Sequence, residues 1–403
     1  RRTTLSVLSA LAILLSGIIV PEAAAQSRRD KEQTYVLEKP YEVKKLVPPT
    51  GKKIKNVILM IGDGMSLMHM YSAWTANRGK LWLDNSQYTG LSKTYCANRL
   101  ITDSGAGGTA LATGQKTYNN AINYDNFGKP LEFITQIAKA QGKATGVVTS
   151  VQLSHATPST FAAQNISRKN MTALAHDMLT NGSTDLLMGT GHPEYDGNGR
   201  SVTSLDSTAC AANSACTNPY DTIGEAEWNA LKAGTLQATS ASKPWTLIDD
   251  KATFELLADG NLAVDGPLVG IPQVRWTLQQ GRDAAVVGND PAQPSGAKLI
   301  NTVPDLATMT KGALNYLGKD KDGLFIMIEG GATDWAAHAN QTGRLIEEQE
   351  DFDHALAAVV AVGEVGLGNA ELAAVAGRAF VFAKALLPQT GLTPGGQAGG
   401  LGN

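Results

Sequence analysis

The sequence predicts an α/β fold: a three-layer sandwich with a largely parallel central sheet covered by helices on both faces. Three observations carry this. Short apolar runs recur at 57–61, 145–150, 186–189, 267–271 and 324–328, and such runs read as strands buried on both faces. Helical patterns at 131–141, 171–180 and 343–360 are interleaved with them, and strand–helix alternation implies a parallel sheet. Chemistry-bearing residues follow the ends of several runs, where the loops of a parallel sheet gather.

Residues 1–25 read as a secretory signal peptide. Arg1 and Arg2 precede an apolar stretch at 5–20, and Ala23-Ala24-Ala25 offers cleavage before Gln26. The stretch is too short and wrongly flanked for a stable membrane span. The first residue is Arg, so an initiator Met is expected to be missing from the record. The mature chain is expected to be periplasmic or secreted, with no membrane association after signal removal. In that compartment Cys210 and Cys216 are expected to pair, leaving Cys96 over and buried. Residues 26–54, with Pro40, Pro48 and Pro49, form an extended lead-in. Residues 55–360 read as one catalytic domain, with a polar surface insertion at about 195–243. Residues 361–403 contain 10 Gly and 9 Ala among 43 residues and no Asp, His, Trp or Tyr. They form a low-complexity tail without strand periodicity, expected to pack poorly. The net charge of −3 gives no basic face for nucleic acid.

Four separated segments carry the candidate site. Ile61-Gly62-Asp63-Gly64-Met65 closes the first apolar run, so the Asp63 carboxylate stands at a strand end. Asp103-Ser104-Gly105-Ala106-Gly107-Gly108 can open a helix whose bare N–H groups and positive end suit a phosphate. Ser104 is the candidate nucleophile; the competing reading is a plain helix N-cap. His155-Ala156-Thr157-Pro158 adds an imidazole and a hydroxyl. Glu329 ends the run at 324–328, and Asp334 and His338, spaced i, i+4, share one helical face, which makes half of a zinc site. Each segment is weak evidence alone. Their order and company are not.

Together the segments resemble the alkaline phosphatase family of the bacterial periplasmic type, over about residues 55–356 and no further. The resemblance implies metal-dependent hydrolysis of small phosphate monoesters through a phosphoserine at Ser104, with zinc-bound water releasing the phosphate. It assigns Asp63 to bridge a zinc and a magnesium, Ser104 to the second zinc, Thr157 and Glu329 to magnesium, and Asp334 with His338 to the first zinc. Arg168 would clamp the substrate phosphate. His155 stands where some relatives carry aspartate, so the third metal is magnesium or another divalent ion that nitrogen favours. Trp335 stands where some relatives carry a phosphate-contacting lysine. A homodimer is also implied.

The resemblance also implies an Asp-His pair at a later strand end and a further His near the C-terminus. This chain has no Asp after Asp353 and no His after His354. Each zinc site is therefore expected to be incomplete, the C-terminal part of the fold to be incomplete, and a hydrophobic sheet edge to lie exposed. A reading-frame change near Val360 would account for the tail. Two alternatives stand beside the hydrolase: an inactive exported remnant that binds metal or phosphate, and a related phosphodiesterase or sulfatase.

Overall fold

The computed structural model describes residues 37, 39–42, 55–86, 89–202, 218–239, 241–365, 370–376 and 380–382. The signal peptide, Cys210, Cys216 and most of the lead-in and tail lie outside the described residues. In chain order the elements are β1 (Asn56–Gly62), α1 (Leu67–Ala76), β2 (Gly90–Leu91), α2 (Ser104–Thr113), α3 (Ile134–Ala140), β3 (Ala144–Gln152), α4 (Ala156–Thr160), α5 (Met171–Thr180), β4 (Leu186–Thr190), α6 (Glu225–Lys232), β5 (Thr246–Ile248), α7 (Lys251–Ala258), β6 (Leu268–Gly270), α8 (Ala284–Val287), α9 (Leu306–Leu317), β7 (Leu324–Gly330), α10 (Ala332–His338), α11 (Thr342–Val365), β8 (Ala370–Ala376) and β9 (Phe380–Phe382).

The nine strands form one sheet in the order β2-β9-β8-β1-β7-β3-β4-β6-β5. Seven run parallel; β9 and β2 add antiparallel pairing at one edge. Alternate residues of the central strands feed two separate cores. Ile58, Met60, Val148, Met188, Ile326 and Ile328 pack with Phe254, Met309, Leu314 and Phe352 on one face. Ile61, Val147, Leu187, Phe325 and Met327 pack with Phe133, Phe161, Met178 and Trp228 on the other. Period-two side chains on strands covered from both sides give this three-layer arrangement. The insertion contributes to it: Ile223, Trp228, Leu231 and Ala238 are buried.

The tail behaves differently from its composition. The expected exposed edge of β1 is covered, because Ala370–Ala376 pairs in parallel with Asn56–Gly62 along its length. Strand pairing needs only extended backbone and free N–H and C=O groups, and an open edge offers both. The register sets Ala376 opposite Gly62.

Helix α11 buries an unusual polar stretch. Glu347, Glu348, Gln349, Glu350 and Asp353 are each at most 9% exposed. Oε1 of Glu348 and of Glu350 has no hydrogen-bond partner among the described residues. Burial, then the neighbouring Glu347, pushes the Glu348 carboxyl up to about 8. Burial, then Glu347 and Asp353, does the same to Glu350. Both hold their proton more tightly folded than unfolded. The stability they contribute is therefore present below the ordinary glutamate value and lost as pH rises through about 8. Asp250, held below the ordinary range by the Thr253 hydroxyl, acts in the opposite sense and only at lower pH. The melting temperature is expected to fall between pH 5 and pH 9, and to fall less in the double variant Glu348→Gln, Glu350→Gln. Equal slopes in the two proteins would exclude these carboxyls as the cause.

Candidate active site

Three adjacent strands, β1, β7 and β3, build the floor of the site. Their register sets Ile61 beside Glu329 and Glu329 beside Thr149. The N–H of Asp63 donates to Gly330 O at 3.2 Å, tying the two strand ends together. Asp63 therefore emerges next to Glu329. Glu329 is fully buried, with Oε2 accepting from Thr149 Oγ1 at 2.5 Å and Oε1 unpartnered among the described residues.

Helix α2 brings the nucleophile candidate to this floor. Asp103, not Ser104, is its N-cap, with Oδ1 accepting from Ala106 N at 3.0 Å. This disposes of the plain-cap reading of Ser104, which is the first helical residue. Its hydroxyl donates to Asp63 Oδ2 at 2.8 Å. Thr157 Oγ1, in the short helix α4 after β3, donates to the same oxygen at 3.4 Å. Gly105 keeps this helix start close to its neighbour: a methyl there would stand 3.0 Å from Ala121 O.

The electrostatics are those of a site built around charge. Burial, then the Asp334 carboxylate, pushes Asp63 up to about 6 against the Ser104 hydrogen bond and Arg168. Burial, then Asp63, pushes Glu329 up to about 8. Asp334 thus disfavours ionisation of Asp63, and Asp63 that of Glu329; a buried group of carboxyls that oppose one another's charge creates a place where a cation is favoured.

Asp334 and His338 lie on α10 as the spacing implied, with Asp334 Oδ1 3.4 Å from His338 Nε2. The His338 side chain is 70% exposed. Gly64 explains why the first motif needs its second glycine. It has φ of +60°, and a methyl there would overlap Asp334 Oδ1 and stand 2.9 Å from Asp334 Cβ. Gly64→Ala is expected to cost about 1–2 kcal/mol from the left-handed backbone alone. It should also push Asp334 aside. Urea unfolding tests this; a parent-like stability would refute it.

Arg168 reaches the site through two contacts that the sequence did not reveal. Nη1 donates to Asp103 Oδ2 at 3.1 Å, and Nη2 lies 3.1 Å from His155 Nε2. Burial, then Arg168, pushes His155 down to about 3, so the imidazole is neutral and accepts from the guanidinium. Its Nδ1 is buried and unpartnered among the described residues, and its ring packs against Trp335 with centroids 5.5 Å apart.

The structure thus gathers Asp63, Ser104, Thr157, Glu329 and Asp334, with Arg168 and His155 adjoining. Among the described residues, no three His, Cys, Asp or Glu side chains gather closely enough to hold a metal ion. His192 does not border the site: it is fully buried between Tyr195 and Trp228. His69 serves the cap of α1. Sequence reasoning missed Thr149, and it missed Asp103 as the partner of Arg168. A carboxylate directly before the nucleophile was the available signal for Asp103; nothing marked Thr149.

A family model described as alkaline phosphatase matches residues 54–211 and 236–367. The chain is 30% identical over 373 residues to alkaline phosphatase 3 of Bacillus subtilis (strain 168), covering 88% of this chain and 64% of the relative. It is 31% identical over 327 residues to the alkaline phosphatase of Escherichia coli (strain K12), covering 76% and 66%. The fold is similar to the alkaline phosphatase of the Antarctic bacterium TAB5, with a TM-score of 0.59 and 26% identity over 81% of this chain and 79% of that one. A variant of the TAB5 enzyme has been solved with Mg bound in its M3 site. The chain spans a little under two thirds of the length of these curated relatives.

Proposed function

The chain belongs to the alkaline phosphatase family, and on that premise we propose that it hydrolyses small phosphate monoesters by phosphoryl transfer to Ser104 and then to water. One observation carries this: the Ser104 hydroxyl, at the start of a glycine-rich helix, already directs its proton at Asp63 Oδ2 2.8 Å away. Attack on phosphorus needs that proton lost; Asp63 holds the hydroxyl in place, beside the position where a bound divalent cation would favour its ionised form. Arg168, held by Asp103 and His155, supplies fixed positive charge for the nonbridging oxygens. At the start of α2, the N–H groups of Ala106 and Gly107 are taken by Asp103, which leaves those of Ser104 and Gly105 for the same phosphate. Trp335 adds an apolar wall and no charge.

A hard divalent cation suits one part of the site. Asp63 and Glu329 are oxygen donors that repel one another, Glu329 Oε1 has no partner, and Thr157 adds a hydroxyl. That set fits magnesium, the ion named for the TAB5 variant. Zinc is served less well. Asp334 and His338 offer the first zinc two donors, and Asp63 and Ser104 offer the second two, against the usual three in catalytic sites. With Nε2 accepting from Arg168, the neutral His155 ring carries its proton on Nδ1 and offers no lone pair to a third metal in this tautomer. When bound, such metals would neutralise charge on the transferring group and polarise its oxygens. Export and a homodimer belong to the same proposal; Leu67, Met68 and Tyr71 on α1, each more than half exposed, offer apolar surface to a second copy.

The test is to express residues 26–403, equilibrate with zinc and magnesium, and measure bound metal, phosphate binding, and hydrolysis of matched phosphate mono- and diesters. We expect phosphate to bind, the monoester to be preferred, turnover to be weak or absent, and zinc to be lost readily on dialysis. Preference for the diester, or no binding of phosphate, would overturn the assignment. Two tightly held zincs with rapid turnover would show that other ligands complete the sites.

A further inference from the structure

Asp103 is held by the segment around Asn119 and Asn120. Its backbone N–H donates to Asn119 Oδ1 at 3.1 Å. The same oxygen lies 2.9 Å from Cys96 Sγ, and Asn119 Nδ2 donates to Ile101 O at 3.3 Å. Two donors at Oδ1 and an acceptor at Nδ2 fix the orientation of the amide. The backbone N–H of Asn119 donates in turn to Asn98 Oδ1 at 3.0 Å. The next residue completes the frame. Asn120 N donates to Asp103 Oδ2 at 3.1 Å, and Asn120 O accepts from Arg168 N at 2.7 Å. Asn120 sits at φ 80°, a left-handed conformation that asparagine tolerates better than most residues.

This short segment therefore touches the backbone N–H of the residue before the nucleophile, the carboxylate that holds the guanidinium, and the backbone of the arginine itself. Cys96 is buried, at 4% exposure. It has one S–H and three oxygens within reach: Asn119 Oδ1, Asn98 Oδ1 at 3.3 Å and Arg99 O at 3.4 Å. The nearest is Asn119.

We propose that Asn119, braced by the Cys96 thiol, is a positioning residue for phosphoryl transfer that sets Asp103 and, through it, both the Ser104 hydroxyl and the Arg168 fork. This rests on the assignment of Ser104 and Arg168 to phosphate chemistry. The physical reason is leverage. Asp103 caps α2 and also pairs with Arg168, so a small shift of its backbone moves nucleophile and clamp together, and misplacement by about 1 Å in such sites costs up to about 10²-fold in rate.

The experiment compares the parent chain, residues 26–403 in zinc and magnesium, with Asn119→Ala, Cys96→Ala, Cys96→Ser and Arg168→Ala. The probe is inorganic phosphate, measured by calorimetry at a temperature where every variant is folded; kcat and KM for a monoester are added wherever turnover is measurable. Asn119→Ala should weaken phosphate binding by about tenfold, the scale of one to two lost hydrogen bonds. Cys96→Ala should weaken it by roughly threefold to fivefold, and Cys96→Ser, which restores a donor, should recover most of that loss. If Asn119→Ala does not fold, the Cys96→Ala and Cys96→Ser pair decides. Parent-like affinity in Asn119→Ala and Cys96→Ala, with weakened binding in Arg168→Ala, overturns the positioning role alone. Equal weakening in Cys96→Ala and Cys96→Ser overturns the part played by the thiol. A parent chain that binds no phosphate overturns the phosphate site and the positioning role together.

Discussion

Replacing Ser104 by alanine is expected to abolish formation of a phosphoenzyme and to lower any monoester hydrolysis by about three orders of magnitude or more, as loss of a covalent nucleophile does. The fold should tolerate the change. Ser104 is half-buried, and its hydroxyl makes one described hydrogen bond, to Asp63 Oδ2, an oxygen that Thr157 also approaches. The helix cap stays intact because Asp103 provides it. The measurement is acid trapping after incubation with labelled phosphate or monoester, followed by peptide mapping. Label on the peptide containing Ser104 in the parent, and none in Ser104→Ala, is the expected pair of results. Label at the same level in the variant would move the nucleophile elsewhere.

Arg282→Ala is expected to destabilise the chain by about 3–5 kcal/mol, the scale on which one partner of a buried ion pair is removed. The Arg282 and Glu347 side chains are 0% and 6% exposed and 2.8 Å apart. Arg282 also donates to Lys298 O at 2.7 Å, Gln279 O at 3.0 Å, Ala297 O at 3.0 Å and Ser295 Oγ at 3.2 Å. Its loss leaves Glu347 with Arg344 at 3.3 Å and the Ser295 N–H at 2.8 Å and removes a donor from the buried carbonyls. An exposed pair makes the control. Lys243 and Asp265 have side chains 46% and 84% exposed, and Lys243→Ala should change stability by less than about 1 kcal/mol. Urea unfolding measures both. An Arg282→Ala loss no larger than that of Lys243→Ala would mean that the buried network contributes little.

β8 extends the sheet beyond β1, with Ala376 opposite Gly62, and β9 and β2 follow it. Backbone pairing accepts nearly any extended sequence, so a segment of low-complexity composition can still add a strand.

The amino-acid sequence by itself determined the α/β class, the strands that lead into Asp63 and Glu329, the helix that Ser104 opens, and the helical pairing of Asp334 with His338. All of these rest on local pattern: apolar runs, glycines at a helix start, and i, i+4 spacing, each legible within a dozen residues. Only the tertiary structure decided that Thr149 satisfies Glu329, that Asp103 and His155 hold Arg168, that His192 is sealed away from the site, that the carboxyls of α11 are buried, and that an alanine-rich segment covers β1. These depend on strand order, register and helix docking between residues tens to hundreds of positions apart. Local pattern carries no record of such pairings, because it is the burial of side chains from distant segments in one shared core that brings them together.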